Sequence, residues 1–288
     1  MRHGLIIVVL MMLPSLTTAS EPVPSAQHVY AVRGDRELML YAFSPEGEAQ
    51  PRPAILIFHG GGWSIGEASW GFAKAEHFAE SGLVGISVQY RLSGSEHPGN
   101  TPLDAIDDAR SAFRWVREHA DELGVDVDRV GAYGWSAGAH LIACAAIFND
   151  TCRETRCSPD AMLLASPALS LHHDELMQRL LGDKAKVEDI SPDRFVREGL
   201  PPTLILQGRT DTVTPLAGNE FFHEAMLAAG NSSKLIVYDD VGHLFTPSTE
   251  SDSGWPNPDP EVRAKANQEI DAFLVSLGYV NPGLRPKH

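Results

Sequence analysis

Four segments of this chain combine residue types and spacings suited to acyl transfer through a serine. Gly134-Trp135-Ser136-Ala137-Gly138 fits G-x-S-x-G, with an apolar strand pattern at 129–133 before it and a helical pattern directly after. A serine hydroxyl is a weak nucleophile until a base takes its proton. A sharp strand-to-helix turn presents such a hydroxyl above a sheet, and flanking glycines let the backbone close up around it. The positive end of the following helix then favours a developing oxyanion.

Asp211 follows the apolar run 203–207 within Gln207-Gly208-Arg209-Thr210-Asp211, and His243 follows the run 234–238 within Val241-Gly242-His243-Leu244-Phe245. The chain order is therefore Ser, Asp, His, which is one of the orders in which a nucleophile, acid and base assemble. In that arrangement the carboxylate fixes the imidazole tautomer and stabilises the imidazolium. Asp239 and Asp240 also stand at a strand end, but they come so few residues before the histidine that they read as turn caps. Of the 12 histidines, His140 lies too far along the helix after Ser136, and His172 and His173 belong to a separate segment.

The fourth segment is His59-Gly60-Gly61-Gly62-Trp63, after the apolar run 54–58. Glycines without Cβ atoms let backbone N–H groups point at a carbonyl oxygen, and one such donor is worth roughly 2.7–4 kcal/mol in a transition state. Gly61, Gly62 and Ala137 are the expected oxyanion donors, and His59 is expected to brace the loop by hydrogen bonding. Trp63, Trp135 and Trp255 are candidate apolar or sugar-stacking walls for a substrate.

These residues need a scaffold, and the sequence supplies one. Short Val- and Ile-rich runs at 54–58, 84–89, 129–133, 161–165, 203–207 and 234–238 read as strands buried on both faces, with a leading pair at 28–33 and 38–44. Helical patterns at 71–80, 102–123, 137–148, 215–229 and 260–277 alternate with them, predicting a mostly parallel sheet flanked by helices. In 102–123, Ala105, Ala109, Ala112, Phe113 and Val116 mark the packed stripe, while Asp107, Asp108, Arg110 and Glu118 fall on the opposite face. The segment 171–199 breaks the alternation and is expected to be a small inserted cap over the pocket.

Composition agrees with one globular catalytic domain over 21–288: 288 residues in all, 43% hydrophobic and 21% charged. A formal net charge of −15 repels phosphate backbones and anionic lipid surfaces, which argues against nucleic acid as a partner. Residues 1–20 combine a basic start, an apolar run and small residues, the pattern of a signal peptide. Export to the periplasm or medium is the expectation, with no stable membrane anchor. Cys152 and Cys157 are spaced to close a small loop, Cys144 reads as a buried inert thiol, and no metal or cofactor is called for.

Together the segments resemble the hormone-sensitive-lipase-like and acetyl-esterase branch of the α/β hydrolases, including the family typed by an HGGGW feruloyl esterase. The likeness extends to Val88-Gln89-Tyr90-Arg91-Leu92 and Asp126-Val127-Asp128-Arg129-Val130. It departs at Ala139, where the family commonly has a second glycine, and at Gly94-Ser95. The resemblance implies the α/β-hydrolase fold and cofactor-free hydrolysis of small-molecule or carbohydrate esters, with acetyl or feruloyl groups as candidate acyl parts. An arylformamidase-like amidase and a non-catalytic binding protein on the same fold are the alternatives.

Overall fold

The computed structural model describes residues 21–47, 51–148, 152, 154–172, 174–252 and 254–281. The leader expected over 1–20 lies outside them. In chain order the elements are β1 (Ala26–Arg33), β2 (Arg36–Phe43), β3 (Arg52–Phe58), α1 (Phe72–Glu80), β4 (Val84–Val88), α2 (Pro102–Glu118), α3 (Ala120–Leu123), β5 (Val125–Trp135), α4 (Ala137–Ile147) and β6 (Met162–Ala165). They continue with α5 (Glu175–Leu181), β7 (Thr203–Gly208), α6 (Leu216–Ala228), β8 (Ser233–Tyr238) and α7 (Pro260–Ser276).

The eight strands form one sheet in the order β1-β2-β4-β3-β5-β6-β7-β8. β3 to β8 run parallel, and β1 and β2 form an antiparallel hairpin that joins the sheet against β4. β3, β4, β6 and β7 are buried almost throughout, because their side chains meet helices on both faces. β8 departs from the expectation of full burial: its residues are mostly half-buried, since an edge strand has a neighbour on one side only.

Two hydrophobic cores result, one on each face. α2, α4 and α6 pack Ala109, Phe113, Ile142 and Phe222 on one side, while α1 and α7 pack Phe78, Ile270 and Leu274 on the other. Every residue of α4 is buried, as its all-round Ala, Leu and Ile composition requires.

The helix expected over 102–123 is two helices. α2 opens with a Thr101–Asp104 capping box and Pro102 in its first turn, and it ends at His119, whose ring stacks on Trp115 with centroids 4.0 Å apart. The one-turn α3 then closes on Gly124 at φ +64. Asp108 corrects the picture of a solvated outer face: it is fully buried, accepting from Arg33 Nε at 3.1 Å and from Arg91 Nε and Nη2 at 2.8 Å each. A carboxylate is tolerated there because two guanidiniums compensate it. The segment 171–199, expected to be an inserted cap, contains α5 and two short 3-10 turns, at Val187–Ile190 and Pro192–Arg194, between β6 and β7.

Candidate active site

Ser136 sits between β5 and α4 with φ +52 and ψ −120, a backbone conformation rarely adopted by a residue with a side chain. The turn closes because Gly138 lacks a Cβ, which would fall 2.1 Å from the Phe58 carbonyl oxygen of β3. The hydroxyl thus stands at the N-terminus of α4, over the carboxyl edge of the sheet.

The loops after β7 and β8 bring the other two residues to it. Ser136 Oγ lies 3.1 Å from His243 Nε2, and His243 Nδ1 lies 3.0 Å from Asp211 Oδ2. All three are buried. Asp211 is fully engaged: Oδ1 accepts from the Val213 and Thr214 amides at 2.9 and 2.7 Å, and Oδ2 also accepts from Gln207 Nε2 at 3.1 Å and Thr214 Oγ1 at 2.9 Å. Asn219 holds Gln207 in turn through a 2.7 Å bond. With both oxygens committed, the carboxylate is fixed as the orienting acceptor for the imidazole Nδ1–H. Asp239 is elsewhere, paired with Arg209 at the exposed surface.

The glycine loop after β3 faces the same point. Gly61 adopts φ +112, and a Cβ there would stand 2.1 Å from the Ile65 carbonyl oxygen, so this position needs glycine. The Gly61 carbonyl takes the Ser64 and Ile65 amides, both at 3.1 Å, which curls the loop. Among the described residues no protein acceptor takes the N–H of Gly61, Gly62 or Ala137, and both glycines line the cavity above Ser136.

Two aromatic–imidazole contacts brace the loop. The Tyr90 hydroxyl donates to the His59 carbonyl at 2.8 Å, and the two rings stack with centroids 4.3 Å apart. Trp63 Nε1 donates to His140 Nδ1 at 3.2 Å, and His140 Nε2–H donates to the Ile190 carbonyl at 2.9 Å. These bonds require a neutral imidazole, and burial lowers the His140 pKa to about 4. His59 is lowered to about 4 for the same reason. His140 therefore ties the glycine loop, α4 and the segment between β6 and β7 together. Cys144 is buried one turn further along α4, with Sγ 3.3 Å from His140 Nε2.

Sequence reasoning missed the residues that support the site, Gln207, Thr214 and Asn219 around Asp211 and, above all, one more carboxylate. Asp252, in the polar loop before α7, accepts from the His243 amide at 3.0 Å with Oδ1 and from the Thr212 amide at 3.0 Å and Thr212 Oγ1 at 3.1 Å with Oδ2. One carboxylate thus bridges the turn carrying Asp211 and the turn carrying His243. Nothing in Ser251-Asp252-Ser253 distinguishes it from an ordinary surface loop. Ser166 plays a smaller part, its Oγ accepting the Leu244 amide at 3.0 Å.

The cavity above Ser136 measures about 1070 Å³. Trp135 and Trp255 both line it, and Trp255, 73% exposed, stacks edge-on against Trp70. Trp63 borders it with its ring buried. His172 and Leu176, between β6 and β7, complete the rim, and the Leu176 side chain closes over Gly62. Among the described residues there is no cluster of potential metal ligands, and no helix is long and apolar enough to cross a membrane.

The BD-FAE family model matches residues 40–226. A probable isoprenylcysteine alpha-carbonyl methylesterase of Arabidopsis thaliana is 25% identical over 244 residues, covering 75% of this chain and 50% of that protein. Esterase LipQ of Mycobacterium tuberculosis is 28% identical over 199 residues, covering 62% and 46%. The chain spans about half the length of these curated relatives. Among solved structures, the apo form of Thermogutta terrifontis esterase 2 superposes with a TM-score of 0.81 at 33% identity, covering 92% of this chain and 98% of that one. The same esterase phosphoramylated by tabun gives a TM-score of 0.78 at 33% identity, covering 89% and 96%. Sheet order, elbow and neighbours agree: this chain has the α/β-hydrolase fold and belongs to the BD-FAE family.

Proposed function

We propose that the chain hydrolyses carboxylic esters of small acyl groups through a Ser136–His243–Asp211 triad. The observation that carries this reading is the unbroken line of contacts from Ser136 Oγ through His243 to Asp211, at 3.1 and 3.0 Å, beside the free amides of the glycine loop. In the first half-reaction Oγ attacks the ester carbonyl as His243 Nε2 takes the hydroxyl proton. The oxyanion rests on the amides of Gly61, Gly62 and Ala137. Collapse of the tetrahedral intermediate expels the alcohol, which leaves with the proton from His243 and an acyl-Ser136 behind. Water then attacks the acyl group, giving one proton to His243, and Ser136 leaves with that proton as the acid is released. Asp211 holds the imidazole in orientation throughout.

Acetyl or feruloyl esters of carbohydrates are the proposed substrates. The indoles of Trp135 and Trp255 in an open cavity support this, being suited to rings and sugar faces. The neighbouring esterase of Thermogutta terrifontis has been solved bound to propionate and phosphorylated by paraoxon, which supports short acyl groups and a reactive nucleophile. Action outside the cytoplasm is part of the proposal, and the disulfide between Cys152 and Cys157 favours an oxidising compartment.

Replacing Ser136 by Ala tests the reading. Turnover of p-nitrophenyl acetate should fall by about 10⁴-fold or more with the melting temperature preserved. Activity retained at the wild-type level would overturn it.

A further inference from the structure

A second cavity, of about 510 Å³, lies on the other side of a wall formed by Trp70, Trp135, Leu244 and Pro258, residues that also border the serine pocket. It occupies the gap between α1 and α7, floored by Tyr133 of β5 and closed by Phe245. Two cations converge on it in a protein whose formal net charge is −15. Lys74 of α1 donates to Asn267 Oδ1 at 2.6 Å, and its Nζ lies 5.0 Å from the Tyr133 ring centroid. Arg263 of α7 stands exposed at the mouth. Among the described residues neither cation has a carboxylate within ion-pair distance, whereas Asp271, the nearby acid of α7, is turned to His77 at 3.5 Å. An ammonium sunk among rings, with an amide as its hydrogen-bond partner, has no direct ion pair and only the longer-range charge of Asp271 to compensate it.

We propose that this cavity is a second ligand site that takes an aromatic monocarboxylate, its ring among Trp70, Tyr133, Trp135 and Phe245 and its carboxylate between Lys74 and Arg263. An incoming carboxylate supplies the direct ion pair that neither cation has, and aromatic walls take the ring edge or face. That this ligand is the acid released at Ser136 rests on the ester-hydrolase reading; binding at Lys74 does not. Where both hold, the acid product inhibits without competing for the serine pocket.

Burial lowers the Lys74 pKa to about 8, with Asp271 opposing and Arg263 adding to the shift. Tyr133, pushed up to about 12 by burial, faces Lys74 uncharged, and His77 on the same helix is the remaining titratable group of the cavity. Carboxylate affinity should accordingly fall as pH rises through and above 8, where the ammonium loses its proton.

Calorimetric titration of 4-hydroxycinnamate into protein whose Ser136 has been blocked with a fluorophosphonate separates the two cavities. One-to-one binding at pH 7 is expected, at least tenfold tighter than that of neutral cinnamyl alcohol and weakened at least tenfold by Lys74→Met. Asn267→Asp should weaken it comparably while keeping the lysine, because the new carboxylate compensates the ammonium from within. Absence of binding to the blocked protein, when the unblocked protein binds, would put the ligand in the serine pocket and overturn the proposal. Equal affinity in both variants would overturn it as well. If Ser136 takes up no fluorophosphonate, the ester-hydrolase reading fails, and the same titration on Ser136→Ala protein decides the second site independently.

Discussion

The two halves of the candidate active site are held in opposite ways. The glycine loop hangs on buried, neutral ring contacts, Trp63 on His140 and His59 on Tyr90, that reach into the core. The acid and base turns are joined from outside by Asp252, a half-buried carboxylate in a polar loop. Buried polar groups are costly to leave unpaired, while a solvent-accessible bond is readily replaced by water. The oxyanion half should therefore be rigid and coupled to global stability. The acid–base half should be adjustable at little expense to the fold.

The contrast is easiest to break at Gly61. Gly61→Ala introduces a Cβ against the Ile65 carbonyl at φ +112, so kcat/KM for p-nitrophenyl acetate should fall by about 10²–10³-fold, the scale of a lost oxyanion donor. A loss under threefold would show that the loop does not deliver that amide. His140→Leu removes partners from both Trp63 Nε1 and the Ile190 carbonyl and should cost about 2–4 kcal/mol in chemical denaturation, because two buried groups lose their bonds. An unchanged midpoint would sever the glycine loop from the core. Asp252→Ala should lower kcat/KM about tenfold while shifting stability by about 1 kcal/mol or less, the cost of an exposed loop bond. A larger stability loss than that of His140→Leu would invert the comparison.

The smallest effect is in pH dependence. His140 and His59 have folded pKa values lowered from 6.5 to about 4, so the unfolded chain binds protons more readily below pH 6.5. Their contribution is complete above pH 6.5 and is lost as pH falls toward 4. Urea denaturation between these limits should show stability declining with acidity, with a shallower slope in His140→Leu. Equal slopes would remove His140 from the account.

Much of this was readable before any coordinates. The strands show as Val- and Ile-rich runs because a parallel sheet is covered on both faces, and the elbow shows because glycine spacing, strand and helix coincide at Ser136. Residues whose role depends on a distant partner were not readable. Asp108 looks like one more acid on a polar helix face until Arg33 and Arg91 arrive from other elements. Asp252 acquires meaning when the loop folds back over Thr212 and His243. Lys74 carries the pattern of a solvated lysine, and its burial follows from how α7 is laid across α1. Local sequence encodes elements well; it encodes long-range polar pairing poorly, because a charged side chain has the same letter with or without its partner.

The φ of +52 at Ser136 sets durability against reactivity at a single residue. A left-handed conformation at a residue with a side chain costs on the order of 1–3 kcal/mol and persists because the surrounding structure over-determines it. Glycine would occupy the same turn without that cost, yet it would carry no hydroxyl. Selection for a longer-lived protein alone would thus erode the elbow from its centre, and under the proposed function the nucleophile is held there at a cost in endurance.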